Sequence, residues 1–264
     1  MERAPSPHGL PGSLNAALAA FRRQGLAVAL EDVYQRLPAT TCARQGHCCG
    51  LLPPLAPVEM LAWLDGLQAR PAAERAEQIA AMLEHFLTNA AQRRPCPWAQ
   101  ATACAIYPVR FLACRAYGLW SPEAYAGRRQ AALMAQERIA QAWAGLGVTL
   151  PAEVLAPGPE YCQQVRVAAP GENLPRADDL LHACESEMER LAKILPPDPD
   201  VPAAGGDLSH LLARLVLGPR GCLTAKVRVT KALLAGQKRQ ARQILDQHLA
   251  VGRAWAATWE ETPS

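Results

Sequence analysis

The crowding of cysteines into one stretch limits what this chain can fold into. Six of the nine cysteines in its 264 residues fall between Cys42 and Cys114. The segments that carry them also hold Gly46, Gly50 and Pro95, which indicates loops rather than regular elements. Nine cysteines are too few for a disulfide scaffold, and in a cytosolic protein clustered thiols are better explained by metal binding or catalysis than by crosslinks. The sequence therefore predicts a fold whose loops converge on a metal site.

Outside these loops the sequence favours helices. The chain is rich in Ala, Leu and Arg and has few aromatic residues, a composition typical of helices rather than sheets. Gly and Pro divide it into segments whose apolar residues recur with helical spacing. We expect a mainly α protein with Ser13, Ser121 and Asp207 as helix N-caps. The predicted helices are Leu14–Phe21, Leu26–Leu37, Pro57–Leu67, Pro71–Asn89, Arg110–Tyr117, Pro122–Leu146, Ala177–Leu195, Leu208–Leu217, Leu223–Ala235 and Lys238–Trp255.

Three regions follow from the distribution of these features. Residues 1–41 hold an N-terminal tail and helices, residues 42–120 the cysteine-cluster region, and residues 121–264 a helical C-terminal region. Within the last, residues 196–206 carry four prolines and two glycines and are the best candidate for a linker. The final two helices resemble a single helical hairpin of the tetratricopeptide kind. One such unit cannot bury its own face, so ordinary helix packing is the interpretation that we favour.

The balance of charge gives little direction about partners. The formal net charge is +3, from 27 basic and 24 acidic residues, so no global field draws the chain to nucleic acid or to a membrane. Apolar runs are interrupted well before the roughly 20 residues that a membrane-spanning helix needs. The first twelve residues lack the pattern of a secretory signal. We therefore expect a cytoplasmic protein whose partner is a protein or a small molecule, and neither nucleic acid nor a membrane.

The six clustered thiols exceed the four places of a single ion or cluster. Glycines between them permit positive φ, so that backbone N–H groups can turn toward sulfur and stabilise its charge. Cys48 and Cys49 would point to opposite faces if they were extended. Either one of this pair is not a ligand, or the site is multinuclear with bridging thiolates. The candidate metal ligands are Cys42, Cys48, Cys49, Cys96, Cys104 and Cys114.

Arginines near the thiols can offset the charge of such a centre. Four thiolates around Zn²⁺ or a four-iron cluster leave a net charge of about −2, which is costly to bury without compensation. Arg110 would share a helix face with Cys114, four residues away, and Arg115 follows directly. We predict that Arg110 and Arg115 contact the bound cofactor, and Arg44 is a weaker candidate. The remaining cysteines are scattered and are expected to be buried, inert thiols; they are Cys162, Cys184 and Cys222.

The spacing of the cluster resembles a known family. The matching residues are the pair Cys48-Cys49, then Pro95-Cys96, then Cys104-x-Ile-Tyr-x-x-Arg110, and Cys114-Arg-x-Tyr117. This pattern, between Cys42 and Tyr117, resembles the YkgJ-like cysteine-cluster family of zinc- or iron-chelating proteins, whose relatives include flagellin lysine-N-methylases. The chain departs from it at Phe111, where members usually have Pro, and lacks a cysteine that members often carry in the first group. The resemblance implies a cysteine-bound metal, either iron–sulfur or zinc, without implying a settled reaction.

Three functions remain open at this point. The first is an iron–sulfur or iron protein whose centre is redox-active or catalytic. The second is a structural zinc site that joins loops in a helical, partner-binding protein. The third is a protein-modifying enzyme related to the lysine methylases. The sequence shows no glycine-rich phosphate loop and no nucleophile elbow.

Overall fold

The computed structural model describes residues 12–41, 47–100, 103–163, 165–167, 177–196 and 206–259. The fold is mainly helical, which confirms the expected class. None of the helices in these ranges combines the length and the apolar character needed to cross a membrane. The ten helices of the described ranges are α1 Gly12–Arg23, α2 Leu26–Gln35, α3 Pro57–Gln68, α4 Ala72–Thr88, α5 Leu112–Ala116, α6 Pro122–Gly145, α7 Ala177–Ile194, α8 Leu208–Leu217, α9 Pro219–Leu234 and α10 Lys238–Ala257.

Most helix boundaries fall where capping residues, Gly or Pro place them. Ser121 caps α6 by accepting a hydrogen bond from Ala124 N, and Asp207 caps α8 by accepting one from Ser209 N. The prediction that Ser13 caps the first helix was wrong, because Ser13 lies inside α1. Glycine and proline therefore mark where helices end more reliably than a lone serine marks where one begins.

Two departures from the expected helix starts bear on the site and on the C-terminal bundle. Helix α9 begins at Pro219 rather than Leu223, because Gly218 adopts φ 73° and Pro219 is suited to the first turn. Helix α5 is shorter than expected and begins only at Leu112. Arg110 is extended, with φ −59° and ψ 147°, so it does not lie on a helix face with Cys114 as predicted.

The described ranges contain three very short antiparallel strand pairs, two of which join distant parts of the chain. Each strand has two residues, too few to form a sheet with a face of its own. The second pair joins the segment after Gly50 to the residues just before α8, and the third forms a hairpin that places Cys104 opposite Ala99. The pairs are β1 Thr40–Thr41 with β5 Arg166–Val167, β2 Pro54–Leu55 with β6 Gly206–Asp207, and β3 Ala99–Gln100 with β4 Ala103–Cys104.

Helix α4 lies at the centre of the main hydrophobic core. It packs against α8, α9 and α10, while α1 and α2 pack on α3 and α7 packs on α2. The approach to α10 is closest at Gly252, where an added Cβ would lie 2.3 Å from Leu83 Cδ1. The core therefore crosses from residues 42–120 into the C-terminal region, and the α9–α10 pair is part of this bundle.

Candidate metal centre

Three cysteine-bearing segments meet at one side of the fold. They are the 3₁₀ turn His47–Gly50, the loop and hairpin from Pro95 to Cys104, and α5. The backbone joins the first two directly, because Cys96 N–H donates a hydrogen bond of 2.8 Å to the Cys49 carbonyl. The two halves of the cysteine group, far apart in sequence, are therefore neighbours in space.

Four of the six candidate thiols interact electrostatically with one another. Cys114 interacts with Cys96, Cys48 and Cys104, and Cys96 interacts with Cys104 and Cys48. The Cys49 sulfur lies 3.9 Å from the Cys48 sulfur, which brings a fifth thiol to the edge of the group. The sixth candidate, Cys42, lies outside the described residues. We call the group of Cys48, Cys49, Cys96, Cys104 and Cys114 the thiol cluster.

The Cys48–Cys49 pair is not extended. It lies in a 3₁₀ turn, so its sulfurs face the same side instead of opposite sides. In a tetrahedral site with metal–sulfur distances of about 2.3 Å, neighbouring sulfurs are about 3.8 Å apart. The observed 3.9 Å is close to this separation, so the spacing permits both thiols to act as ligands.

The sulfurs are gathered but do not surround a common point. Among the described residues, no group of three or more His, Cys, Asp or Glu side chains is arranged to hold a metal ion. The donor set nevertheless has the chemistry of a soft-metal site, since thiolates select zinc, copper(I) and iron–sulfur clusters. Coordination would require these thiols to turn toward each other.

Cys96 has the environment of a stabilised sulfur. It is only 8% exposed, and burial raises the pKa of its thiol to about 11. The backbone N–H groups of Trp98 and Ala99 lie close enough to the sulfur to oppose this rise in pKa, and the Ala99 N–H also donates a hydrogen bond of 2.9 Å to the Cys96 carbonyl. Such N–H donors stabilise negative charge on a metal-bound thiolate. The Cys96 sulfur is thus protonated at neutral pH in the absence of a cation, but has two donors available for an anionic state.

Aromatic rings close the inner side of the thiol cluster. Trp98 is buried, with its ring centroid 5.5 Å from that of Phe111 and 6.1 Å from that of Trp63. All three rings belong to or pack against the main core. Phe111 therefore contributes to this wall.

A buried glutamate anchors the helix that carries Cys114. Glu59 is 2% exposed, and its Oε1 accepts hydrogen bonds from Leu112 N at 2.6 Å and from the Tyr34 hydroxyl at 2.7 Å. Its Oε2 accepts one from Ala56 N at 3.0 Å. Burial raises the pKa of Glu59, and these three hydrogen bonds partly oppose that rise. The first turn of α5 is therefore fixed to both α2 and α3.

The sequence did not reveal Glu59. It stands in the first turn of α3, where an acidic residue is ordinary because it complements the helix dipole. Its burial arises only because α2 and α5 cover this turn. The pKa of the Cys114 thiol is raised, chiefly by burial and then by the neighbouring thiols, and Glu59 contributes as well.

The two predicted arginines hold the turn that precedes α5. Arg115 Nε donates to the Arg110 carbonyl at 2.6 Å, and its Nη2 donates to the Pro108 carbonyl at 2.9 Å. Arg110 Nε donates to the Tyr107 carbonyl at 3.2 Å, and its guanidinium lies 3.8 Å above the Tyr107 ring. The guanidinium of Arg115 lies 4.4 Å from the centroid of the Tyr34 ring. Direct contact of either arginine with a cofactor stays a prediction, and Arg44 lies outside the described residues.

Cys162 is half-buried, so the expectation that it is a buried thiol was wrong, and it lies beside Gly118 at the end of the α5 segment. At Gly118, which ends the α5 segment with φ 85°, an added Cβ would lie 3.5 Å from Cys162 Cβ and 2.6 Å from Val165 Cγ2. The segment around Cys162 therefore packs against the end of α5. Tyr117, at that end, interacts electrostatically with Cys162 and with Cys48 of the thiol cluster.

The other two scattered cysteines are buried, as expected. Cys184 and Cys222 are both 0% exposed. The Cys184 sulfur donates weakly to the Val33 carbonyl, and the Cys222 sulfur donates to the Pro219 carbonyl at 3.2 Å. These two thiols belong to the helical core rather than to the thiol cluster.

Comparison with known proteins adds no relative. No family model matches this chain, and neither the curated proteins nor the solved structures include a match. The likeness to the cysteine-cluster family therefore rests on the motif between Cys42 and Tyr117.

Proposed function

We propose that this chain is a metal-binding protein with a cysteine-ligated iron–sulfur or iron centre that is redox-active or catalytic. The observation that supports this most is the convergence of the two sequence halves, joined by the hydrogen bond from Cys96 N–H to the Cys49 carbonyl. The ligands would come from the thiol cluster, with Cys42 as the remaining candidate. Such a centre would supply electron transfer or Lewis-acid chemistry to the protein.

The surroundings of the cluster suit an anionic centre. Two backbone N–H groups already interact with the Cys96 sulfur, and hydrogen bonds of this type tune the potential of iron–sulfur sites. Arg110 and Arg115 would place positive charge beside the centre, and Glu59 would hold α5 so that Cys114 is presented from a fixed element. The aromatic wall formed by Trp98 and its neighbours would keep water from the inner side.

Metal analysis of freshly isolated protein tests the proposal. Protein purified without oxygen, or reconstituted with iron and sulfide, should show visible absorption bands together with stoichiometric iron and acid-labile sulfide. Cys96→Ser and Cys104→Ser should each lower the iron content and the visible absorption. Cys222→Ser is the control, because it replaces a buried thiol of the helical core outside the thiol cluster and should leave both unchanged. Colourless protein with no bound iron would overturn the proposal.

A structural zinc site is the second candidate. The sulfur separation of 3.9 Å between Cys48 and Cys49 is close to the edge of a zinc–thiolate tetrahedron and supports it. Zinc would then link irregular segments that otherwise share short strand pairs and single hydrogen bonds. This candidate requires one equivalent of zinc without sulfide, and removal of zinc by a chelator should lower the melting temperature. An unchanged melting temperature after zinc removal would contradict it.

A further inference from the structure

Two consecutive thiols of the thiol cluster lie side by side. Cys48 and Cys49 belong to the 3₁₀ turn His47–Gly50, and their sulfurs are 3.9 Å apart. An extended backbone would direct consecutive side chains to opposite faces, so it is the turn that brings these two sulfurs together. A disulfide has a sulfur–sulfur distance of about 2.05 Å. The two sulfurs therefore need to approach each other by about 1.9 Å to form a bond.

The end of the turn has room for this movement. Among the described residues, a Cβ built at Gly50 would have one heavy atom within 4 Å, Arg93 Nη2 at 3.8 Å. That atom is the far end of a long side chain, which can move aside at little cost. The backbone next to the two thiols can therefore shift without a clash against the core.

Both thiols are also within reach of a dissolved oxidant. Cys48 and Cys49 are half-buried, whereas Cys96 is 8% exposed and Cys184 and Cys222 are 0% exposed. The oxidation of a cysteine depends on access to its sulfur. A sulfenic acid formed on either thiol of the pair would have the other thiol 3.9 Å away. This is the arrangement of a redox-sensing cysteine beside the thiol that resolves it.

We propose that Cys48 and Cys49 form a reversible disulfide with each other when the chain meets a peroxide. Peroxide converts one thiol to a sulfenic acid, and its second oxygen leaves as water. The neighbouring sulfur then attacks the sulfenic sulfur, the sulfur–sulfur bond forms, and the sulfenic oxygen leaves as a second water. Two thiols and one peroxide thus give one disulfide and two waters.

Strain keeps such a disulfide easy to reduce. Consecutive Cα atoms are about 3.8 Å apart across a trans peptide, less than the roughly 4.4–6.8 Å that is usual for a disulfide. Strained disulfides are more reducible, and labile disulfides are regulatory or catalytic rather than structural. A small dithiol therefore returns the pair to thiols. Because both sulfurs are candidate ligands, the disulfide would also withdraw two ligands from a bound metal; this consequence rests on the proposed function.

Mass spectrometry of the metal-free full chain tests the disulfide. After treatment with one equivalent of hydrogen peroxide, the remaining thiols are alkylated under denaturing conditions, and the chain is cut with trypsin without reduction. Cleavage after arginine gives a peptide of residues 45–75, whose cysteines are Cys48 and Cys49 alone. We expect this peptide to lose two hydrogens and to take up no alkyl group. Treatment with dithiothreitol before alkylation should restore both sites of alkylation.

Two variants, both checked for folding by circular dichroism, separate this pair from the other thiols. Cys49→Ser removes the resolving thiol, so Cys48 should stay a sulfenic acid that dimedone traps, and the peptide should not lose two hydrogens. Cys104→Ser removes another half-buried thiol of the cluster and should form the disulfide at a rate within about twofold of the natural chain. The proposal is overturned if the natural peptide keeps two alkylated thiols, or if Cys104→Ser abolishes the disulfide. It is also overturned if the peptide becomes linked to one that carries Cys96, Cys104 or Cys114.

Zinc-loaded protein tests the consequence for a bound metal. Zinc is redox-inert, so its release reports on its ligands alone. Peroxide should release zinc to a chromogenic chelator in step with formation of the disulfide, and dithiothreitol should restore binding. A disulfide that forms while zinc is retained would overturn the loss of ligands. Protein that binds neither zinc nor iron would overturn the proposed function instead, while the result on the metal-free chain would still decide whether the disulfide forms.

Discussion

Removal of the Glu59 carboxylate should destabilise the protein and loosen the helix that carries Cys114. In Glu59→Ala three donors lose their acceptor: Tyr34 Oη, Ala56 N and Leu112 N. Tyr34 and Leu112 are buried, and each buried donor left without a partner costs about 1–3 kcal/mol. A buried carboxyl group is itself unfavourable, so its removal offsets part of this loss of stability. We expect the free energy of unfolding to fall by about 2–4 kcal/mol.

The isosteric variant separates hydrogen bonding from packing. Glu59→Gln keeps one oxygen for Tyr34 and Leu112, but places an NH₂ group opposite Ala56 N–H, so it should cost only about 1 kcal/mol. Urea titrations followed by circular dichroism measure both variants, with metal content determined on the same samples. The control Ile244→Val removes one buried methyl group from α10, a helix that carries no cysteine, and should cost about 1 kcal/mol without changing metal content.

Two results would refute this reasoning. If Glu59→Ala unfolds within 0.5 kcal/mol of the natural chain, the three hydrogen bonds do not hold α5. If Glu59→Gln costs as much as Glu59→Ala, the effect does not come from the loss of acceptors. If metal content falls in both Glu59 variants but not in the control, the result would instead show that α5 positions a ligand.

Two further substitutions test the packing and the electrostatics of the C-terminal bundle. Gly252→Ala should lower the free energy of unfolding by about 1–3 kcal/mol, because its Cβ would lie 2.3 Å from Leu83 Cδ1. The double variant with Leu83→Ala should lose less stability than the sum of the two single changes, and Gly127→Ala on α6, where nothing lies within 4 Å, should not destabilise. Burial lowers the pKa of Lys226 to about 8. The folded state then releases this proton before the unfolded state does, so stability should rise from about pH 8 to pH 10.5 by up to about 3 kcal/mol. Urea titrations at both pH values should show this rise for the natural chain relative to Lys226→Met; an identical pH dependence in the two would contradict it.

The helices were predictable because the signals that define them are local. Helix α8 begins and ends at the residues expected, and α2, α3 and α4 differ from their predictions by two residues or fewer at either end. In each case Gly, Pro or a capping side chain interrupts the apolar periodicity. Helix α5 was overestimated because Arg110 has helical spacing to Cys114, while the 3₁₀ turn through Pro108 directs the chain into an extended segment first.

The site was predictable only in its list of cysteines. Five of the six cysteines that the sequence indicated lie near one another, while Cys42 lies outside the described residues. The sequence did not indicate that Cys48 and Cys49 share a turn with their sulfurs 3.9 Å apart. Cys162 and Glu59 reach the site through tertiary packing, which leaves no local pattern in the chain. The strands that position the loops are each two residues long. This is too short for the alternation of apolar and polar residues that marks a strand to be recognised in the sequence.

The hydrogen bond between Cys96 N–H and the Cys49 carbonyl lowers the entropic cost of bringing the two halves of the thiol cluster together around a metal. Joining two points separated by more than forty residues costs loop-closure entropy, which grows with the logarithm of the loop length. Because this bond joins two backbone groups, closure of the loop between them does not depend on the cysteine side chains. An ion that bound the thiol cluster would therefore need to order only the side chains. Its binding free energy would not be reduced by the entropy of loop closure.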